Sequence, residues 1–206
     1  MDARQRRSRA RLHAAVLRLA AERAIGEVTA TEIAAAAGVH RSTFYEHASS
    51  PGGLLESALE VELDQLREDL LARIVLPDVD VAGAINGAIE QLLAHVERHA
   101  EVYRRGLGAD AGTTSLHPVL GGHLRGTSRR CLELLDTVVE VPVDGLRPED
   151  VTDAALAFLV DGTIGVISTW LERPDLGREG ALRLHAALVP SWWPLEREEL
   201  GAGAAG

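Results

Sequence analysis

The segment Thr29-Ala-Thr-Glu-Ile-Ala-Ala-Ala-Ala-Gly-Val-His-Arg-Ser-Thr-Phe-Tyr45 opens with a helix-start signal and bends at one glycine. Thr29 and Glu32 have capping-box spacing: the threonine hydroxyl takes the amide three residues on, and the glutamate reaches back. The helix so begun, Ala30 to Ala37, is stopped by Gly38. A second short helix follows at about His40–His47. Two short helices joined by a glycine turn make the helix-turn-helix unit. Its second helix fits the major groove of DNA and presents N-terminal side chains to base edges. Arg41 would donate two bonds to a guanine edge, and Thr43, Tyr45 and His47 would bond phosphate oxygens. An αα-turn with a glycine also occurs in helical proteins that never meet DNA, so the motif alone leaves the matter open.

Helical periodicity continues on both sides. Leu12, Ala15, Val16, Leu19 and Ala20 mark one face of a preceding helix that fades at Ala24–Gly26. Ser50 and Pro51 stand where a cap and a first-turn proline belong. They begin a long helix with Leu55, Leu59, Leu63, Leu66, Leu70 and Ile74 on one stripe, ending before Pro77. Further helical segments are expected at Val79–His99, Glu101–Leu107, Pro118–Val141, Pro148–Glu172 and Arg178–Leu188. No alternating β-branched run reaches strand length. The expected fold is all-α: a helix-turn-helix domain over residues 1–50 with a basic N-terminal arm, then a larger helical domain over 51–206.

The 206 residues carry a net charge of −10, which by itself argues against a nucleic-acid partner. The charge is unevenly spread: residues 1–50 hold eight arginines against five acids, and the remainder holds 13 against 26. Such a chain presents one basic face to phosphates while the rest stays acidic. All 21 basic residues are arginine, as a GC-rich coding bias would produce. One cysteine, Cys131, excludes an internal disulfide and a cysteine-built zinc site. The apolar run Ala154–Leu171 is interrupted by Asp161, Gly162 and Gly165 and falls short of a membrane span, so it reads as a buried helix. No apolar stretch of a secretory signal follows the basic N-terminus. A soluble, cytoplasmic protein without a membrane partner is expected.

Residues 12–55 resemble the N-terminal domain of TetR-type (tetracycline-repressor-like) transcriptional regulators. Leu12, Ala15, Val16, Leu19 and Ala21-Glu22-Arg23 match the family's first helix. Thr29, Ile33-Ala34, Ala37-Gly38-Val39, Thr43-Phe44-Tyr45, His47 and Leu54-Leu55 match the following helices without a gap. The resemblance implies that Thr31 touches phosphate from the second helix, that Arg41 and Ser42 read bases, and that Thr43, Tyr45 and His47 hold the DNA backbone. It makes Ile33, Ala34, Ala37, Val39 and Phe44 packing residues. Some positions depart from the family. His40 stands where serine is frequent, Ala48 where phenylalanine is frequent, and Pro51-Gly52 where a basic-acidic pair supplies a lysine contact. Glu46 replaces a residue that is often basic and would repel phosphates. Affinity would then lean on the arm, Arg4, Arg6, Arg7 and Arg9.

In the larger half the match is local. Gly162, Gly165 and Trp170-Leu171 sit like the small-residue and tryptophan positions of the family's eighth helix. The resemblance implies a homodimer interface from the last two long helices: Ala154, Ala155, Ala157, Gly162 and Gly165, with Leu182, Ala186 and Leu188. It also implies an effector pocket, for which Tyr103, Phe158, Asp161 and Trp170 are candidates. Asp161 lies in an apolar run where an unpaired carboxylate is costly; a partner hydroxyl, solvent or a ligand would each satisfy it. His95 and His99 share one helical face, but Glu97 points away and no third ligand is obvious. They are expected to be solvated surface histidines, with no metal site and no cofactor. Gly106-Leu-Gly-Ala-Asp-Ala-Gly112 has the wrong spacing for a dinucleotide loop, and no nucleophile elbow appears, so no enzyme is expected. The expected function is a repressor released from a palindromic double-stranded operator by a small molecule. The alternative is a dimeric helical module that binds a small molecule or protein without regulating transcription.

Overall fold

A capping box and a left-handed glycine build the helix pair around which one end of the chain folds. In the computed structural model, which describes residues 3–137, 139 and 144–194, the Thr29 hydroxyl accepts from the Glu32 amide at 3.2 Å. The Glu32 carboxylate in turn accepts from the Thr29 amide at 2.8 Å. Arg23, which ion-pairs with Glu32, and Thr29 together hold that carboxyl down at about 2. The helix ends at Gly38, whose φ of +61° few other residues adopt without strain. Val39 N–H closes the turn on the Ala34 carbonyl at 3.0 Å.

The described residues form nine α-helices and no strand. They are α1 (Ala3–Glu22), α2 (Ala30–Ala37), α3 (Arg41–His47), α4 (Pro51–Ile74), α5 (Val81–Arg98), α6 (Ala100–Leu107), α7 (His117–Leu134), α8 (Pro148–Glu172) and α9 (Gly177–Leu188). The all-α reading therefore stands. The chain divides into two compact units. The first runs to Gln65 and adds His95–Leu120; the second takes Leu66–Ala94 and the residues from Gly121 onward. Helix α4 is continuous from one into the other.

In the first unit α1, α2 and α3 pack around Leu12, Val16, Ile33 and Phe44, each fully buried, with Leu54 and Leu59 of α4. Arg11 ties α1 to the turn by donating to the Gly38 carbonyl at 2.9 Å. Arg105 of α6 donates to the Ala20 and Ala21 carbonyls at 2.7 and 2.9 Å, satisfying acceptors at the free end of α1. Gly106 is required by close approach: a Cβ there would meet Leu116 side-chain atoms at 2.4 to 2.9 Å.

The second unit is built on Leu70, Ile74, Ile85, Cys131, Leu132, Leu156, Leu159 and Trp193. By length and composition α8 resembles a membrane span, but half of its most apolar window is buried inside the unit. Two expectations about helix ends change. The helix expected from Val79 starts after Asp80, which caps it by accepting from the Gly83 amide at 2.8 Å. The segment expected to run from Pro118 to Val141 is helical only to Leu134. Asp136 adopts φ +48°, and Thr137 N–H reaches back to the Leu132 carbonyl at 3.0 Å, a helix-ending turn. Residues 138 and 140–143 of that segment lie outside the described residues.

Candidate nucleic-acid interface

The N-terminal arginines belong to a helix, not to an extended arm: α1 begins at Ala3. This places Arg4, Arg7 and Arg11 along one wall of an open groove of about 650 Å³, opposite His40, Thr43, Glu46 and His47 of the α3 region. The four arginines singled out from the sequence then part ways. Arg9 donates to the Ser57 hydroxyl of α4 at 2.9 Å and is a packing residue. Arg4, Arg6 and Arg7 are exposed.

Helix α3 turns Phe44 inward and Arg41, Ser42 and Tyr45 outward, with Thr43 and His47 half-buried. Its N-cap residue, His40, makes no side-chain capping bond, so packing on Phe44 is what seats this short helix. Arg41 lies over the Tyr45 ring at 5.5 Å and donates to its hydroxyl at 3.1 Å. The two side chains, one turn apart, therefore hold each other on the exposed face. Thr31 is exposed in the first turn of α2. The Nε2 atom of His47 is enclosed without a hydrogen-bond partner, so contact with a phosphate would fall to Nδ1. His13 on α1 is held down at about 4 by burial, with Arg9 and His47 adding to the effect, and is neutral at pH 7.

The residues expected to hold an effector are not brought together. A cavity of about 60 Å³ in the second unit is walled by Leu70, Ile85, Leu92 and Leu159, with Thr127, Thr163 and His185 as polar points. Tyr103, Phe158, Asp161 and Trp170 do not line it. Phe158 is 71% exposed and Asp161 is exposed on the outer face of α8, Trp170 is buried elsewhere on that helix, and Tyr103 lies in the first unit. At this cavity the His185 Nε2 lies 3.3 Å from the Thr163 hydroxyl, which itself donates to the Leu159 carbonyl. Burial holds His185 down at about 4 and pushes the Cys131 thiol up to about 11, so both are neutral at pH 7.

The outer face of α8 carries Ala154, Phe158, Asp161, Gly162, Gly165 and Thr169, all exposed; Ala155 is half-buried. A Cβ at Gly162 or Gly165 would meet nothing within 4 Å. On α9, Leu182 is half-buried, while Ala186 and Leu188 are exposed.

His95 and His99 are not solvated surface histidines. His95 is 1% exposed, between the Tyr103 hydroxyl at 2.8 Å from Nε2 and the Glu62 carboxylate at 3.3 Å from Nδ1. His99 Nε2 lies 2.9 Å from the same Glu62 oxygen. Burial holds His95 down at about 4, with His99 the next contribution. Burial pushes the Glu62 carboxyl up, but the His99 hydrogen bond and the charges of His99, His95 and Arg98 prevail and hold it below its ordinary value. Sequence spacing could not reveal Glu62, which arrives from another helix.

Residues 12–58 match the family of bacterial regulatory proteins described as the tetR family. Among solved structures, the chain resembles a tetR-family transcriptional regulator from Streptomyces coelicolor at 22% identity and a TM-score of 0.60, covering 91% of this chain and 80% of that one. It resembles the fatty acid degradation regulator FadR from Bacillus halodurans at 17% identity and a TM-score of 0.63, covering 93% and 97%. It also resembles Thermus thermophilus FadR, a transcriptional repressor solved in complex with lauroyl-CoA, at 21% identity and a TM-score of 0.60, covering 95% and 99%. Likeness at this level shows a shared fold. No curated protein matches the chain.

Proposed function

We propose that this chain, whose residues 12–58 match the tetR family of bacterial regulatory proteins, is a cytoplasmic, non-enzymatic transcriptional repressor that binds a palindromic operator as a homodimer. Residues 1–50 serve as the DNA-binding domain and 51–206 as the ligand-binding and dimerisation domain. The observation that carries the DNA role is the groove with Arg4 and Arg7 on one wall and Thr43 and His47 on the other. It offers cationic and hydrogen-bonding groups to one phosphate track. Arg41 and Ser42 read bases; Thr31, Thr43, Tyr45, His47 and Arg7 hold the backbone. Glu46 lines the same groove, and its charge lowers affinity for phosphates.

Substitution separates the two roles. Arg41→Ala is expected to weaken operator binding by about 1–3 kcal/mol and relax specificity at one base pair. Tyr45→Ala is expected to weaken binding to all duplexes alike, because phosphates carry no base identity. Fluorescence anisotropy on selected and scrambled duplexes reads both; equal losses on the two duplexes for Arg41→Ala refute base reading.

The effector is a small, largely apolar molecule bound at the cavity among Leu70, Leu92, Leu159, Thr163 and His185. At about 60 Å³ that cavity has room for roughly two waters, whereas pockets for organic ligands measure roughly 300–1,000 Å³. Binding therefore requires the lining helices to separate, which gives the ligand a differential affinity for two conformations. Differential affinity is what release from DNA demands: a tenfold loss of operator affinity needs about 1.4 kcal/mol of coupling. A structurally similar repressor was solved in complex with lauroyl-CoA, whose acyl chain is apolar.

The dimer forms through the outer face of α8 with α9. Glycine inside a helix costs about 0.5–1 kcal/mol relative to alanine. Among the described residues no atom lies within 4 Å of a Cβ at Gly162 or Gly165, so their benefit lies in a second copy's close approach.

A further inference from the structure

The only three-residue cluster of potential metal ligands among the described residues shares no residue with the proposed DNA and effector sites. Its ligand atoms, one each from Glu62, His95 and His99, lie within 4.8 Å of one another. Glu62 comes from α4, His95 from the last turn of α5, and His99 from the junction before α6. Two imidazoles already converge on one carboxylate oxygen, at 3.3 and 2.9 Å. A tetrahedral zinc with bonds of roughly 2.0–2.2 Å spaces its ligands about 3.4 Å apart, so small side-chain rotations convert the cluster into a coordination shell.

We propose that Glu62, His95 and His99 form a binding site for a divalent first-row transition metal of the zinc class, with Tyr103 as the residue that orients His95. Two imidazoles and one carboxylate suit zinc, cobalt or nickel; magnesium and calcium prefer oxygen-only shells. Three protein ligands leave one position for water or another small ligand.

Tyr103 is the second observation. It is fully buried, and its hydroxyl is 2.8 Å from His95 Nε2. A ligating histidine holds its other ring nitrogen to a hydrogen-bond partner, which fixes the tautomer. A phenol serves both tautomers: it donates to Nε2 when Nδ1 carries the proton, and accepts from Nε2–H when Nδ1 binds metal. His95 is thereby freed to ligate without leaving a buried nitrogen unpaired. Arg98 also meets that Glu62 oxygen, at 3.0 Å; its side chain is largely exposed and swings into water when the metal enters. The metal would pin α4 to the α5–α6 junction. Helix α6 in turn holds the end of α1 through Arg105, so the site lies one helix from the DNA-reading elements.

The test uses the full chain without an affinity tag, titrated with Zn²⁺ against a chromophoric chelator and with Co²⁺ by visible absorption. Binding of one Zn²⁺ per chain is expected, together with a Co²⁺ spectrum of low coordination number and no response to Mg²⁺. His99→Ala and Glu62→Gln, each checked for native helicity, are expected to abolish the stoichiometric Co²⁺ signal. Tyr103→Phe keeps all three ligands and is expected to weaken Zn²⁺ by roughly 10–100-fold. Absence of stoichiometric binding by the wild-type chain overturns the proposal. So does unchanged affinity in the folded His99→Ala and Glu62→Gln variants, which would place the metal on other histidines. Unchanged affinity in Tyr103→Phe overturns the orienting role.

Discussion

Phe44→Ala is expected to remove about 3–5 kcal/mol from the stability of the first unit and to abolish operator binding. Phe44 is fully buried and is the only residue of α3 in the core. Loss of a buried ring costs its transfer free energy plus the cavity it leaves. Globular units hold only about 5–15 kcal/mol in total. Helix α3, seven residues long and without a side-chain cap, has no intrinsic stability to fall back on. Tyr45→Ala, at the next position but 52% exposed, is expected to change stability by less than about 0.5 kcal/mol. Urea denaturation of the two variants makes the comparison. A cost below about 1 kcal/mol for Phe44→Ala would mean that α3 is seated by something other than this packing.

Gly165→Arg is expected to convert the dimer into a monomer while leaving each chain folded. A Cβ at this position meets nothing within 4 Å among the described residues, so the substitution is not expected to strain the fold. In a close helix pair it projects a long cation into the partner's backbone. Phe158, 71% exposed, and Leu188, 65% exposed, lose their cover at the same time. Light scattering at micromolar concentration reads the mass, and far-ultraviolet circular dichroism reads the helicity. With one recognition helix per molecule, affinity for an inverted repeat should collapse towards that for a half-site. A Gly165→Arg chain that remains dimeric places the interface elsewhere.

Much of this architecture was legible from local chemistry. Ala30–Ala37 is bounded by a capping box and a glycine, and Pro51–Ile74 begins with a first-turn proline; both helices stand where those signals put them. Such signals act within a few residues and need no tertiary partner. The end of α7 was hidden because its left-handed residue is Asp136, a type that adopts this conformation less often than glycine and so gives weaker notice. That Tyr103, Phe158, Asp161 and Trp170 do not share one cavity has a different reason. In a single sequence an aromatic such as Phe158 reads as buried, and only the packing of α8 shows which face is left outward. His95 reads as a surface residue in the sequence because both groups that enclose it, Glu62 and Tyr103, come from outside α5.

The central claim is that α3 reads DNA sequence as one half of a symmetric pair. Selection of bound duplexes from a random pool by the full chain, followed by sequencing, tests it most directly. The account predicts an enriched inverted repeat whose half-site centres lie about one helical turn, or a multiple of it, apart, with affinity that falls steeply as salt rises. Enrichment of no sequence, or of a motif without two-fold symmetry, would contradict it.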